Sequence, residues 1–288
     1  MRLDDLVAEL DAYFRVELVR DDDWSGIFAS VYAEPYWREF AEPGYEGRWN
    51  GLMVRGAGEV AAAATCVFPG AAVVEQLDPG TFLFSEHPVD FADEPGFEPL
   101  PRETYELMRE RAISFYNVHA PLDQHPEIAP SLLCARAVGL AHLEDYFPID
   151  PALPEGAVMI GDSQLSVEGL AEAFRSYLGP EIRVHVITRP RAEAGRVAVA
   201  AGGGAVAEIL EASLARGCQT YVTGNAATNC RVPEVQEELR RFRQLAEARS
   251  VALVDATHYG MEKPPQLAMV KWFQARGLEA AFVASGPR

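Results

Sequence analysis

No uninterrupted apolar run in this sequence reaches the roughly 18 residues a membrane-spanning helix needs. The acidic start, Met1-Arg2-Leu3-Asp4-Asp5, has no apolar signal core. Neither a membrane partner nor export is expected, and the chain is read as cytoplasmic. Cysteine is scarce. Cys66, Cys134, Cys218 and Cys230 are scattered without a Cys-x-x-Cys pair, which fits reduced core or loop thiols rather than a disulfide framework. Positive charge is short as well: 25 Lys and Arg stand against 43 Asp and Glu, a net −18. Without a basic face to neutralise phosphates, nucleic acid is excluded as a partner, and so is an anionic membrane surface. The excess acid is read as solubilising. No internal period suggests a solenoid. What remains is an ordinary globular composition, 49% apolar over 288 residues, enough for one large domain or two smaller ones.

The chemistry concentrates at the ends of β-prone runs. Ala112-Ile113-Ser114-Phe115-Tyr116 leads into Asn117-Val118-His119-Ala120-Pro121-Leu122-Asp123, where an imidazole and a carboxylate stand four residues apart. The intervening proline marks a strand-end loop. The spacing recurs at His258-Tyr259-Gly260-Met261-Glu262 after Val251–Asp255, and Glu86-His87 closes the run Thr81–Phe84. Three of the six histidines fall in these stretches. Any one pair alone is more often a solvated or hydrogen-bonded loop pair than a ligand set. Together they are what a metal centre on a sheet requires, since imidazole and carboxylate suit Zn, Fe or Mn and a carboxylate can bridge two ions.

Along the chain, Leu3, Leu6, Val7, Leu10 and Phe14 give helical spacing within Leu3–Val19, with acid in the first turn. Residues 20–47 are aromatic and charged. The run Asp21-Asp22-Asp23 reads as solvated loop, with the aromatics over an edge or a subunit contact. Strand, strand, short helix (Ala71–Leu77) and strand follow from Trp49 to His87. Phe91–Pro101 reads as loop, Arg102–Ala112 as helix, and Ile128–Leu140 as helix. The proline-rich Asp145–Gly156 is the linker candidate. Beyond it, Ser166 is an N-cap for a helix ending at Leu178. His185 reads as a packed strand histidine. Arg196–Ala201 is a strand ending in Gly202-Gly203-Gly204 before a helix, Ala205–Arg216, a junction able to turn backbone N–H groups toward an anion or simply to make a tight turn. Thr220–Thr223 is a strand ending at Gly224-Asn225, and Pro233–Arg249 is a helix. Pro264-Pro265 is read as opening the helix that ends at Gln274, and Ala280–Ala284 as the last strand. Alternating strands and helices predict an α/β protein, divided as 1–150 plus 250–288 against 151–249.

In order along the chain, Trp49-Asn50-Gly51-Leu52, Phe84-Ser85-Glu86-His87-Pro88, His119-Ala120-Pro121-Leu122-Asp123, Val197–Gly204, Tyr221-Val222-Thr223-Gly224 and His258-Tyr259-Gly260-Met261-Glu262 resemble the signature segments of the NIF-three-like dinuclear metal-centre family, also labelled type 2 homologues of GTP cyclohydrolase I. The resemblance implies two similar α/β domains around a metal-lined cleft, assembled as a toroidal hexamer. It implies two divalent transition-metal ions, Zn, Fe or Mn. The ligands would be His87, Asp123, His258 and Glu262, with His119 as ligand or support and Glu86 standing where the family has the first of two histidines. Gly202, Gly203, Gly204, Thr223, Gly224 and Asn225 would face a substrate. Asn225, Thr228 and Asn229 replace a glutamate and histidines of the family.

Two functions follow from that resemblance. One is a metal-dependent hydrolase acting on a small anionic or nucleotide-like substrate through a metal-bound hydroxide. No catalytic residue is assigned beyond the ligands. The other is a non-catalytic metal-binding ring serving as store, chaperone or regulatory adaptor. A metal-free α/β scaffold is the third reading of the same pairs.

Overall fold

The computed structural model describes residues 1–92, 96–228 and 232–285. Asn229 and Cys230 lie outside the described residues. In chain order the elements are α1 (Leu3–Phe14), α2 (Asp23–Val31), β1 (Gly51–Val54), β2 (Ala62–Cys66), α3 (Ala71–Val74), β3 (Phe82–Ser85), β4 (Asp90–Ala92), β5 (Gly96–Glu98), α4 (Arg102–Glu110), β6 (Ser114–Asn117) and α5 (Ala120–Asp123). Then come α6 (Pro130–Ala137), β7 (Ala141–Tyr146), β8 (Val158–Ser166), α7 (Val167–Leu178), β9 (His185–Thr188), β10 (Glu193–Ala200), α8 (Ala207–Ala215), β11 (Thr220–Thr223), α9 (Pro233–Ala248), β12 (Ala252–Asp255), α10 (His258–Gln274) and β13 (Glu279–Phe282). The fold is mixed α/β. No helix among the described residues is long and apolar enough to cross a membrane.

The chain divides into two compact units, one of residues 1–92, 97–122 and 266–288, the other of residues 93–96 and 123–265. This differs from the division read from the sequence. Strand β12 pairs in parallel with β11 and therefore belongs to the second unit's sheet. Asp145–Gly156 is not a domain linker: Asp145 and Tyr146 still pair with β8, and the segment joins β7 to β8 within that sheet.

In the first unit the strand order is β1-β6-β3-β2-β13. Only β1 runs antiparallel to its neighbour; β6, β3, β2 and β13 are parallel to one another. All four residues of β3 and β6 are buried, as central parallel strands demand, and the antiparallel edge strand β1 is buried along its length as well. Leu3, Leu6, Leu10 and Phe14 bury one stripe of α1. The helix stops at Phe14, short of the predicted Val19, because Arg15 turns left-handed and caps it. Of the carboxylates read as solvated loop in residues 20–47, Asp22 and Asp23 are exposed, but Asp21 is buried, and the segment is ordered into helix and turns. It forms α2 and two short 3-10 turns, and Trp24, Phe28, Tyr32, Trp37 and Tyr45 are core side chains packed ring to ring. Each such burial contributes about 1.5–3 kcal/mol. The predicted loop at 91–101 holds β5, which pairs with β4.

In the second unit the order is β7-β8-β10-β11-β12-β9, with β10, β11 and β12 parallel at the centre. Ser166 caps α7 as predicted, its hydroxyl oxygen accepting from the Gly169 N–H at 3.0 Å. His185 is exposed, not packed, because β9 is an edge strand. Helix α10 starts at His258, six residues before the prolines read as its opening. Thr257 supplies the cap, its hydroxyl oxygen accepting from the Gly260 N–H at 3.0 Å. Pro265 has no N–H to give the carbonyl four residues back, Met261. That carbonyl instead accepts the Cys134 thiol at 3.8 Å. Burial pushes the Cys134 thiol up to about 12, so it stays protonated as a core donor.

Candidate metal centre

Each unit carries part of the predicted ligand set at the carboxyl ends of its parallel strands, where α/β sheets bind ligands. In the first unit, β3 and β6 are neighbours in register, Ser85 opposite Asn117. Two residues beyond those ends stand His87 and His119, ring centroids 5.4 Å apart. Neighbouring parallel strands make this juxtaposition unavoidable once both strands end together.

Both imidazoles are held from behind. His119 Nδ1 lies 2.8 Å from Asp21 Oδ2, and the same oxygen accepts the Ala120 N–H at 3.0 Å. Burial works to raise the Asp21 carboxyl, but the His119 imidazole and the Ala120 N–H prevail and hold it below its usual range. An ionised carboxylate only accepts, so Nδ1 carries a proton, and in the neutral ring the lone pair is left on Nε2. His87 Nδ1 faces the Val67 carbonyl at 3.4 Å, which favours the same tautomer. Metal-binding histidines have this support, an N–H given to a carboxylate or carbonyl behind the ring. Trp24 packs edge-on to both rings, at 5.7 and 5.1 Å. The backbone beneath is tied down as well: His119 N–H donates to Asn50 Oδ1 at 2.8 Å, and Asn117 bridges the Tyr45 hydroxyl and the Trp49 carbonyl. Glu86 is fully buried and accepts from Gln266 Nε2 at 3.2 Å.

In the second unit, Ala200, Thr223 and Asp255 are aligned across β10, β11 and β12. Beyond them come Gly202, Gly224 and His258. His258 and Glu262 lie one turn apart on α10, with Nε2 2.8 Å from Oε1 and Glu262 buried. Adjacent ligand atoms on an ion with bonds of about 2.0–2.2 Å lie roughly 3 Å apart, so the pair is already near the spacing an ion needs. Two glycines make room for it. A Cβ at Gly202 would stand 2.0 Å from Glu262 Oε1, and one at Gly224 would stand 2.7 Å from His258 Cα. Asp255 joins the two neighbouring loops, Oδ2 accepting from Ala227 N–H at 2.9 Å and Oδ1 from Thr257 N–H at 3.1 Å. Burial raises the Asp255 carboxyl above its usual range.

By their ligand atoms, His87, His258 and Glu262 can hold a metal ion. Asp123 is half-buried, ends α5 and is the first residue of its stretch of the second unit. The residues read as facing substrate are more committed. Asn225 Oδ1 accepts the Ala205 N–H at 2.8 Å and the Thr223 hydroxyl at 3.4 Å, so its side chain ties the glycine turn to the end of β11. Helix α8 begins at Ala207, two residues later than predicted, and its first N–H already donates to Glu238 at 2.7 Å. Asp21 was missed by sequence reasoning because nothing separates it from Asp22 and Asp23; its partner lies 98 positions away. Asp255 was read only as the end of a strand.

Residues 36–285 match the family Duf34/NIF3 (NGG1p interacting factor 3). The chain belongs to this family. Among its relatives are two proteins called GTP cyclohydrolase 1 type 2 homolog. The one from Yersinia pestis is 25% identical over 77% of this chain and 83% of its own length. The one from Deinococcus radiodurans is 26% identical over 73% and 74%. The fold matches a solved structure of the protein ybgI, of unknown function, with a TM-score of 0.69 at 19% identity, covering all of both chains. The family match begins after Asp21 and Trp24, so the carboxylate behind His119 and the indole over both rings come from chain that precedes it.

Proposed function

We propose that this chain is a divalent-metal-binding member of the family that hydrolyses a small anionic or nucleotide-like substrate. His87 of the first unit and His258 and Glu262 of the second are ligands, and His119, Asp123 and Glu86 complete the set for two transition-metal ions, Zn, Fe or Mn. The observation that carries the reading is His119: a buried carboxylate holds its Nδ1 proton and leaves Nε2 as a ligand atom, the support metal-binding histidines require. The relatives' names supply the nucleotide-like substrate. A bound divalent ion supplies Lewis acidity and lowers the pKa of water near neutrality. Two such ions bring a charge of about +4, of which Asp123, Glu262 and Glu86 offset three, so the site stays attractive to an anion within an acidic protein. The chain's own residues do the rest: Asp21 fixes a proton on His119, Trp24 covers the imidazoles against water, and Gly202 and Gly224 leave backbone where a side chain would obstruct.

Elemental analysis of protein purified without chelator or affinity tag tests this. We expect close to two transition-metal ions per chain. The Asp123→Ala/Glu262→Ala double variant should stay folded and lose tight metal uptake; unchanged metal content there would sink the ligand assignment.

A second reading, a non-catalytic metal-binding ring acting as store, chaperone or adaptor, is favoured by Asn225, whose side chain is spent on holding loops together. Metal-loaded protein with two ions and no turnover across nucleotides and small esters would select it. Either reading includes the hexameric ring. Light scattering should give about six times 31.6 kDa, and a clean monomer at micromolar concentration would rule the ring out.

A further inference from the structure

Within the second unit, α6, β7, β8 and the segment before β8 line a half-open pocket of about 270 Å³ that none of the chemistry above uses. Its apolar lining is Ala129, Leu132 and Met159, all buried, with Leu143 half-buried beside them. Charge of both signs lines it too: Arg136 from the last turn of α6, Asp145 from β7, and Glu155. In a chain with 43 acidic residues against 25 basic ones, guanidinium groups pair readily. Arg136, like Asp145, is exposed at this pocket, and it makes no ion pair and no side-chain hydrogen bond among the described residues. Asp145 makes no ion pair there either; its Oδ2 accepts only the Gly156 N–H, at 2.5 Å. A cation and an anion therefore line one small pocket without neutralising each other. The His125 ring adds a polar wall, its Nδ1 accepting the Glu127 N–H at 3.2 Å, which puts the ring proton on Nε2.

The geometry points to a binding site for a small aliphatic α-amino acid. Arg136 matches a carboxylate, for which its planar fork is suited. Asp145, with Glu155 nearby in the lining, matches an ammonium group. Leu132, Leu143 and Met159 receive a branched aliphatic side chain. The volume is below the roughly 300–1,000 Å³ of sites for drug-sized ligands, as a single amino acid requires. A simple anion would leave Asp145 repelled, and a simple amine would leave Arg136 unmatched.

Calorimetry on the full chain with L-leucine, 4-methylpentanoate and 3-methylbutylamine tests this. The last two are leucine without its amine and without its carboxylate. Leucine should bind saturably and both analogues at least tenfold more weakly. Arg136→Ala should weaken leucine at least tenfold, and Asp145→Asn, which keeps an acceptor for Gly156, should weaken it too. Metal content should not change in either variant, which separates this site from the metal centre. No saturable binding of leucine at millimolar concentration, or 4-methylpentanoate binding as tightly as leucine, would overturn the proposal.

Discussion

Replacing Gly202 by alanine should abolish tight metal binding in a protein that still folds. Gly202 has φ +61°, a left-handed conformation that costs an alanine about 1–2 kcal/mol. The added Cβ would fall 2.0 Å from Glu262 Oε1 and 3.2 Å from His258 Nε2. The atom in the way ends a flexible side chain, so the backbone can stay while the carboxylate swings aside. That carboxylate is the proposed ligand. We expect a loss of a few degrees in Tm and a drop in metal affinity on the order of 100-fold, the upper end of what disturbing a ligand's surroundings costs. Gly203→Ala is the matched control, because a Cβ there meets nothing within 4 Å. It should change neither quantity. Differential scanning fluorimetry and competitive metal titration read both. Wild-type affinity in Gly202→Ala would show that the Glu262 carboxylate, as positioned, holds no ion.

Asp21→Ala should be the most damaging single change at the first unit's histidines. Its Oδ2 serves two donors, the half-buried His119 ring and the buried Ala120 backbone, and alanine leaves both unmatched. A buried donor left without a partner costs about 1–3 kcal/mol, so a loss of about 2–4 kcal/mol is expected. Asp21→Asn keeps an acceptor of the same shape and should lose less stability. It also removes the charge that fixes the tautomer, so its metal affinity should still fall, by about 10–100-fold. Urea unfolding of the apoprotein measures the first effect and metal titration the second. Stability within about 0.5 kcal/mol of wild type in Asp21→Ala would remove Asp21 from any supporting role.

These two positions show where sequence reading works and where it stops. The strand ends bearing Glu86-His87, His119 and His258 were legible because β-prone runs closed by proline, glycine or a polar pair are local signals. Ser166 was legible for the same reason: a cap acts over three residues. The start of α10 was not. A proline pair at a helix opening is the usual pattern, and here Thr257 capped the helix first while Cys134, far away in sequence, took the carbonyl that Pro265 leaves without an N–H. His185 looked packed because its neighbours alternate, but alternation does not say whether a strand lies at an edge.

The sequence by itself determined the alternation of strands and helices, the family, and the kinds of side chain that arrive at the strand ends. Those depend on spacings of two to four residues and on turn chemistry, which the chain carries locally. Only the tertiary structure decided which of three consecutive aspartates supports His119, that the aromatics of residues 20–47 are core side chains rather than cover for an edge or a subunit contact, that β12 belongs with β11, and that Asn225 braces loops. Each of those depends on which distant segments pack together, and burial is what turns one aspartate of three into a fixed partner for an imidazole.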